Sequence, residues 1–343
     1  MARRKVIFEI FIAIIILSII GVAVYNYIDR DNLERYSRTE LILDTIFEVT
    51  IFVDEEIEGD PLVREAFDKV RALEKVMSRF VANSDVDKIN QQAGMEPVEV
   101  DPRTFYVIEK SLYFSEVSQG KFDVTIAPLL SLWGFGTGEE REPPADEEIE
   151  EALSLVDYQE IELDEESMTV FLPREGMALD LGGIAKGYIV DEIADFLEGE
   201  GVEHGTVNAG GDIRALGTRI DGNPWRIGIT HPRDRENVIA VIPVSQEAIV
   251  TSGDYERFFT QEGERYHHIL DPDTGQPAGE VMSVTIVAPD CITADSLSTA
   301  VFVLGVEEGI ALLENMSQVE GMIVDLQEEI HVTRGLKDLI EIR

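Results

Sequence analysis

Cysteine is almost absent from this chain: of 343 residues, only Cys291 carries a thiol. No intramolecular disulfide can form, and no lipid-modified cysteine can follow the N-terminal segment. Basic residues are scarce too, 28 against 68 acidic ones, giving a formal net charge of -40. A field of that sign opposes phosphate backbones and anionic bilayer surfaces, so nucleic acid is not an expected partner and the excess reads as a solvated, salt-adapted surface. An anionic ligand must then be captured locally, by a metal ion, a lysine or backbone amides. Neither the P-loop pattern nor the G-x-G-x-x-G fingerprint occurs, and no repeat of solenoid type is found.

What the sequence does have is a 44% apolar share, enough for a proper core. Its first residues read Arg3, Arg4 and Lys5, then an apolar run from Val6 to Ile28 interrupted only by Glu9. As a helix that run spans about 35 Å, enough for a bilayer core. The basic flank places residues 1–5 in the cytoplasm and the remainder outside it, so the expected organisation is a single-pass anchor over 6–28, a polar tether over 29–40 and a catalytic domain over 41–343 on the extracytoplasmic side of the cell membrane. A cleaved signal peptide is the rival reading, but "GVAVYNYIDRD" offers only a poor cleavage site.

Beyond the tether, "LILDTIFEVTIFV" alternates as a strand, and Leu62, Phe67, Val70, Leu73, Met77 and Phe80 recur at helical spacing. A second helix is expected from an Asp101 cap and Pro102 to Gly120. An acidic surface excursion, "GEEREPPADEEIEEA", and two short strands follow. Then "MALDL" reads as a strand entering a Gly-Gly turn and a helix. Strands and helices mix without regular alternation, which predicts an α+β catalytic domain.

Four segments carry candidate chemistry. In "DLGGIAKGYIVD", Gly182 and Gly183 precede a helix whose first turn holds Lys186. Free amides, the helix dipole and an ammonium group suit a phosphate or diphosphate, while a Gly-Gly turn also serves close packing. In "CITADSLSTAVFVLG", Asp295 and Thr299 share one helix face and offer hard oxygen ligands of the kind Mg²⁺ accepts; alternatively, Asp295 caps the helix and Thr299 packs inward. In "GERYHHILDPDTGQPAG", His267 and His268 are strand neighbours, so only one can face a given site, as a base or a phosphate contact. In "VNAGGDIRALG", Gly210 and Gly211 permit close approach to the backbone, while Asn208 and Asp212 bind polar ring edges or stabilise the turn.

Taken together, "FDVTIAPLLSLWGFG", "DLGGIAKGYIVD", "NAGGDIRALG", "TSGDYERFF", "HHILDPDTGQP" and "ADSLSTAVFVLG" resemble, in order, the signature blocks of the ApbE-like FAD:protein FMN transferases. The resemblance implies an enzyme that uses FAD and Mg²⁺, moves FMN onto a threonine hydroxyl of an acceptor redox protein, and releases AMP. It implies metal ligation by Asp295, Thr299 and the main-chain carbonyl of Ala185. It makes His268 the residue at the diphosphate, with Lys186 beside it. It makes Asp180, Gly182, Gly183, Asn208, Gly210, Gly211, Asp212, Thr251, Ser252 and Asp271 walls for flavin, adenine or metal. His267 is expected to face away and to tolerate replacement. An apolar N-terminal run stands where many members carry a lipidated cysteine. The segment "MSRFVANSDVDKIN" resembles a flavin-side block that varies between transferases and FAD-hydrolysing relatives, so an Mg²⁺-dependent FAD pyrophosphatase and an exported FAD-binding protein are the competing readings.

Overall fold

The computed structural model describes residues 33–135 and 142–343. The expected anchor over 6–28 lies outside the described residues.

The strand expected near residue 41 is half of a hairpin. β1 (Glu34–Ile42) pairs antiparallel with β2 (Thr45–Val53), with Leu41 opposite Ile46 and Ile42 opposite Thr45. Residues 34–40 of the expected tether are therefore strand. They are polar because β1 is a sheet edge whose outward side chains face water, and such an edge needs no apolar alternation. Arg38 and Glu40 pair with each other, and Glu40 also holds Arg71 of the first helix.

That hairpin begins an eight-stranded antiparallel sheet in the order β1-β2-β6-β7-β10-β13-β14-β15. Its later members are β6 (His204–Ala209), β7 (Asp212–Leu216), β10 (Ala248–Gly253), β13 (Val281–Ala288), β14 (Glu320–Asp325) and β15 (Ile330–Val332). One face carries three long helices. α1 (Gly59–Met77) buries Leu62, Phe67, Val70, Leu73 and Met77, as its spacing predicts, but ends before Phe80. α6 (Ala185–Gly199) and α7 (Cys291–Glu314) complete the layer. α7 is broken at Gly305, where φ is 80°. By length and composition α7 could cross a membrane, yet half of it is buried inside the protein and it serves as the core helix.

The opposite face of β7, β10, β13 and β14 is covered by a small sheet of β8 (Trp225–Thr230), β9 (Val238–Val244) and β16 (Glu341–Ile342). Ile229, Ile242, Ile249 and Met322 fill the space between the two sheets. Short elements complete the chain: β3 (Val98–Glu99), β4 (Glu162–Asp164) and β5 (Thr169–Phe171) form one sheet, and β11 (Phe258–Gln261) pairs with β12 (Glu264–His267). The remaining helices are α2 (Asp85–Gln91), α3 (Pro102–Val117), α4 (Ala127–Leu132) and α5 (Asp146–Leu153). α3 starts as expected, with Asp101 accepting from the Arg103 amide and Pro102 in the first turn. "MALDL" is not a strand: only Ala178 makes an isolated bridge, to Ile126. The architecture is α+β, with the helices gathered on one face of an antiparallel sheet.

Phe47 is fully buried and meets the Phe67 ring edge-on at 5.6 Å. Phe47→Ala should lower unfolding free energy by roughly 3–5 kcal/mol, measured by urea titration. A loss under 1 kcal/mol would mean that the sheet does not depend on this contact.

Candidate active site

α6 and α7 cross at Gly187. A Cβ there would lie 2.4 Å from the Cys291 carbonyl oxygen and 2.8 Å from Asp295 Cβ, so only glycine permits the approach. The contact is latched twice. The Gly187 amide donates to Asp295 Oδ2 at 3.0 Å, and one turn on both Asp191 carboxylate oxygens accept from α7, from the Cys291 and Ile292 amides at 2.8 Å each. Asp290 supplies the helix cap by accepting from the Thr293 amide. The capping role open to Asp295 is thus filled by other carboxylates, and Asp295 faces a cavity.

That cavity has a volume of about 390 Å³. Ala185, Lys186, Asp295, Thr299, Gly182, Gly183 and Asp180 line one side; Gly210, Asp212, Thr251, Ser252 and His268 line another. The β1–β2 turn, Leu43 to Thr45, forms part of the rim. The structure therefore brings together most of the residues singled out in the sequence, from segments more than a hundred positions apart.

Two carboxylates, Asp212 and Asp295, are both 2% exposed in the wall. Lys186 is ion-paired to Asp212 and stands 3.8 Å from Asp295 Oδ1. Burial pulls the Lys186 ammonium down, but the two carboxylates outweigh it and raise its pKa, so it is charged at any working pH. Burial raises the Asp295 carboxyl, opposed chiefly by Lys186. One lysine between two buried carboxylates leaves an excess of negative charge, a deficit that a cation at Asp295 corrects. The donors that line the wall beside it, Thr299 and Ala185, offer only oxygen, which suits a hard divalent ion.

The Gly-Gly turn differs from its expected form. The Gly182 amide donates to Asp180 Oδ1 at 2.7 Å, so it is not free for a phosphate. Asp180 in turn binds Arg79 Nε at 2.5 Å through its other oxygen. Gly183 serves packing: a Cβ there would meet Phe122 at 3.2 Å and the Thr299 hydroxyl at 3.3 Å. The side chains of Arg79, Lys121 and Arg257 line the cavity along with Lys186. Lys121 is held by Asp271 at 3.0 Å and Asp273 at 2.8 Å. Four cations thus line the cavity together with seven carboxylates.

The two histidines separate by their hydrogen bonds. His267 is buried, with Nε2 2.8 Å from the Ala278 carbonyl oxygen and Nδ1 accepting from the Ile269 amide. Both nitrogens are used, and the ring lies edge-on to Phe302. His267 faces away from the site as expected, but here that means facing the core. His268 lines the cavity, with Nδ1 3.2 Å from the Arg257 carbonyl oxygen. A carbonyl only accepts, so that nitrogen carries the proton and Nε2 keeps its lone pair. Burial and the Arg257 cation hold the His268 pKa down, to about 3, which keeps the ring neutral.

Three expected wall residues do not line the cavity. Asn208 accepts from the Gly211 amide across the β6–β7 turn, where Gly210 and Gly211 have φ of 64° and 110°. Their task is the hairpin. Asp271 anchors Lys121 and, through its carbonyl, the Gly275 turn. Thr251 and Ser252 line the cavity but also bond Thr285 and Ser298 across the sheet and to α7. Sequence reasoning missed Arg79, Lys121 and Arg257. Each adjoins a block already singled out, and the strongly acidic background made every cation beside such a block informative. It also missed Asp191, whose latch joins segments a hundred residues apart.

The ApbE family profile matches residues 43–323. A FAD:protein FMN transferase of Treponema pallidum is 34% identical over 329 residues, 91% of each chain. One of Vibrio cholerae is 38% identical over 252 residues, covering 71% of this chain and 74% of its own. The crystal structure of the ApbE protein of Thermotoga maritima superposes with a TM-score of 0.84 at 38% identity, over 89% of this chain and 99% of its own. The flavin transferase ApbE of Vibrio cholerae gives 0.81 at 30% identity, over 90% and 99%.

His267→Ala should cost about 2–4 kcal/mol of stability through lost packing and two unpaired backbone groups, and more than His268→Ala in the same urea titration; equal losses would contradict the assignment of faces. The His268 pKa, about 3, lies below the ordinary 6.5. Between those values the unfolded chain holds a proton that the folded chain does not, so this contribution to stability is complete above pH 6.5 and is lost as pH falls toward 3. His268→Asn should therefore lose less stability than the wild type between pH 7.5 and 5. Parallel losses would contradict the lowered pKa.

Proposed function

The chain belongs to the ApbE family and is a flavin transferase, and we propose that it transfers FMN from FAD to a threonine hydroxyl of an acceptor protein in an Mg²⁺-dependent reaction that releases AMP. The observation that carries this reading is one cavity holding the buried Asp295 carboxylate beside Thr299 and Ala185, four cations set among seven carboxylates, and a neutral His268 whose Nε2 keeps its lone pair. Asp295, the Thr299 hydroxyl and the Ala185 carbonyl would hold the metal ion. Bound there, Mg²⁺ supplies charge neutralisation at the diphosphate. Arg257 is placed to meet the dianionic substrate, while Arg79 and Lys121 add positive charge at the cavity from within their pairs with Asp180 and with Asp271 and Asp273. Lys186 holds Asp212 and Asp295 in place rather than reaching freely for phosphate, since its ammonium is committed to both.

In the transfer step the threonine oxygen attacks the phosphorus of the FMN half. Its proton passes to His268 Nε2, a new O–P ester bond forms, and the bond to the bridging oxygen breaks with its electron pair leaving on AMP. A pKa near 3 makes His268 a weak base, so it accepts the proton late, once the forming O–P bond has drawn electron density from the threonine oxygen and made its proton acidic. The acceptor is read as an extracytoplasmic redox protein, and the 6–28 segment as the anchor that holds the enzyme at the same membrane face.

Asp295→Ala should abolish FMN transfer with the fold intact, and His268→Ala should lower turnover by roughly 10²- to 10⁴-fold with little change in FAD affinity. Intact-mass measurement of the acceptor and AMP release are the readouts. Free FMN with an unlabelled acceptor would replace the transfer reading with hydrolysis. FAD binding without AMP would remove catalysis altogether.

A further inference from the structure

The tip of the β1–β2 hairpin combines three features that the chemistry above leaves unexplained. Leu41 is 82% exposed and Ile46 62%; they face each other across the two strands and so project from one face as a pair. The two turn residues between the strands are Leu43 and Asp44, with φ of 57° and 54°. Such a two-residue turn favours Asn-Gly, and a leucine in the left-handed region is strained. Glu74 of α1 holds it there, accepting from the Leu43 amide at 3.0 Å. Finally, Leu43, Asp44 and Thr45 line the reaction cavity, as does Phe80, itself 53% exposed. A strained, buttressed turn at the cavity rim is thus followed, one residue back on each strand, by an exposed apolar pair on the sheet face away from the helices.

We propose that this tip is where the acceptor protein docks, with Leu41 and Ile46 gripping an apolar side chain close to the residue that receives FMN. The proposal rests on the transfer reading. A protein substrate must bring its hydroxyl into a cavity whose rim includes this turn, so acceptor surface has to lie beside the tip. Burying two aliphatic side chains there contributes affinity in a way that does not depend on charge, which matters on a molecule of net charge -40. The small β8–β9–β16 sheet packs on β7, β10, β13 and β14, and its Trp225 meets β2 at the Phe52 ring, near the end far from the tip. A hydroxyl that receives FMN belongs to a separate molecule, and the cavity beside the tip selects that acceptor as its occupant.

The test compares wild type with a Leu41→Ser/Ile46→Ser double variant, full-length in detergent, using as probe an acceptor domain that is a substrate of the Vibrio cholerae relative. Both side chains are exposed, so the variant should fold. KM for the acceptor should rise at least tenfold, with kcat, KM for FAD and acceptor-independent FAD turnover unchanged, and 0.5 M salt at saturating FAD should not raise the wild-type KM for the acceptor. An unchanged acceptor KM overturns docking at the tip while the transfer reading stands. Loss of vesicle binding or of self-association in light scattering, at unchanged acceptor KM, assigns the pair to a membrane or a second copy and also overturns it. If wild type labels no acceptor, the transfer reading fails and the docking proposal fails with it.

Discussion

The close crossing of α6 and α7 at Gly187 is the contact on which the site depends. Ala185 and Lys186 lie just before it on one helix; Asp295 and Thr299 lie on the other. Two backbone amides bound by Asp191 and one bound by Asp295 fix the rotation and register of the helices. Side chains from segments a hundred residues apart are thereby brought to one wall with little freedom, which is what preorganised charge stabilisation needs. The sheet supplies the platform, since β10 and β13 pack against α7 and carry Thr251 and Ser252 to the same cavity.

Electrostatics then decides what this wall can hold. Burying Asp212 and Asp295 beside a single lysine is costly unless a further cation or the basic rim completes the balance. Arg79, Lys121 and Arg257 add local positive charge among the carboxylates of the cavity, Arg79 held by Asp180 and Lys121 by Asp271. His268 contributes a neutral ring with one directed lone pair. His267, its neighbour, gives both nitrogens to the core.

Local sequence reasoning worked wherever the cause was local. The apolar spacing of 62–77, the Asp101–Pro102 helix start, the helix behind Gly182-Gly183 and the turn at Gly210-Gly211 all formed as their residues dictate. It failed where tertiary partners override composition. β1 reads as a polar tether because it is a sheet edge, and "MALDL" reads as a strand although it runs through the core making one bridge. The Gly182 amide reads as free until Asp180, two residues back, is seen to take it. His267 and His268 do face different sides, but not by strand alternation alone: β12 ends at His267 and His268 lies in the bend after it, while burial of His267 depends on Phe302 of α7.

The most direct test of the account is the rate of FMN transfer by Gly187→Ala. A methyl group there cannot fit without separating the helices, and a displacement of about 1 Å in a positioned site lowers rates by roughly 10²-fold. The account predicts a loss of at least that size in a variant whose circular dichroism still shows a folded protein. Transfer at the wild-type rate would contradict it, and would mean that the crossing does not assemble the site.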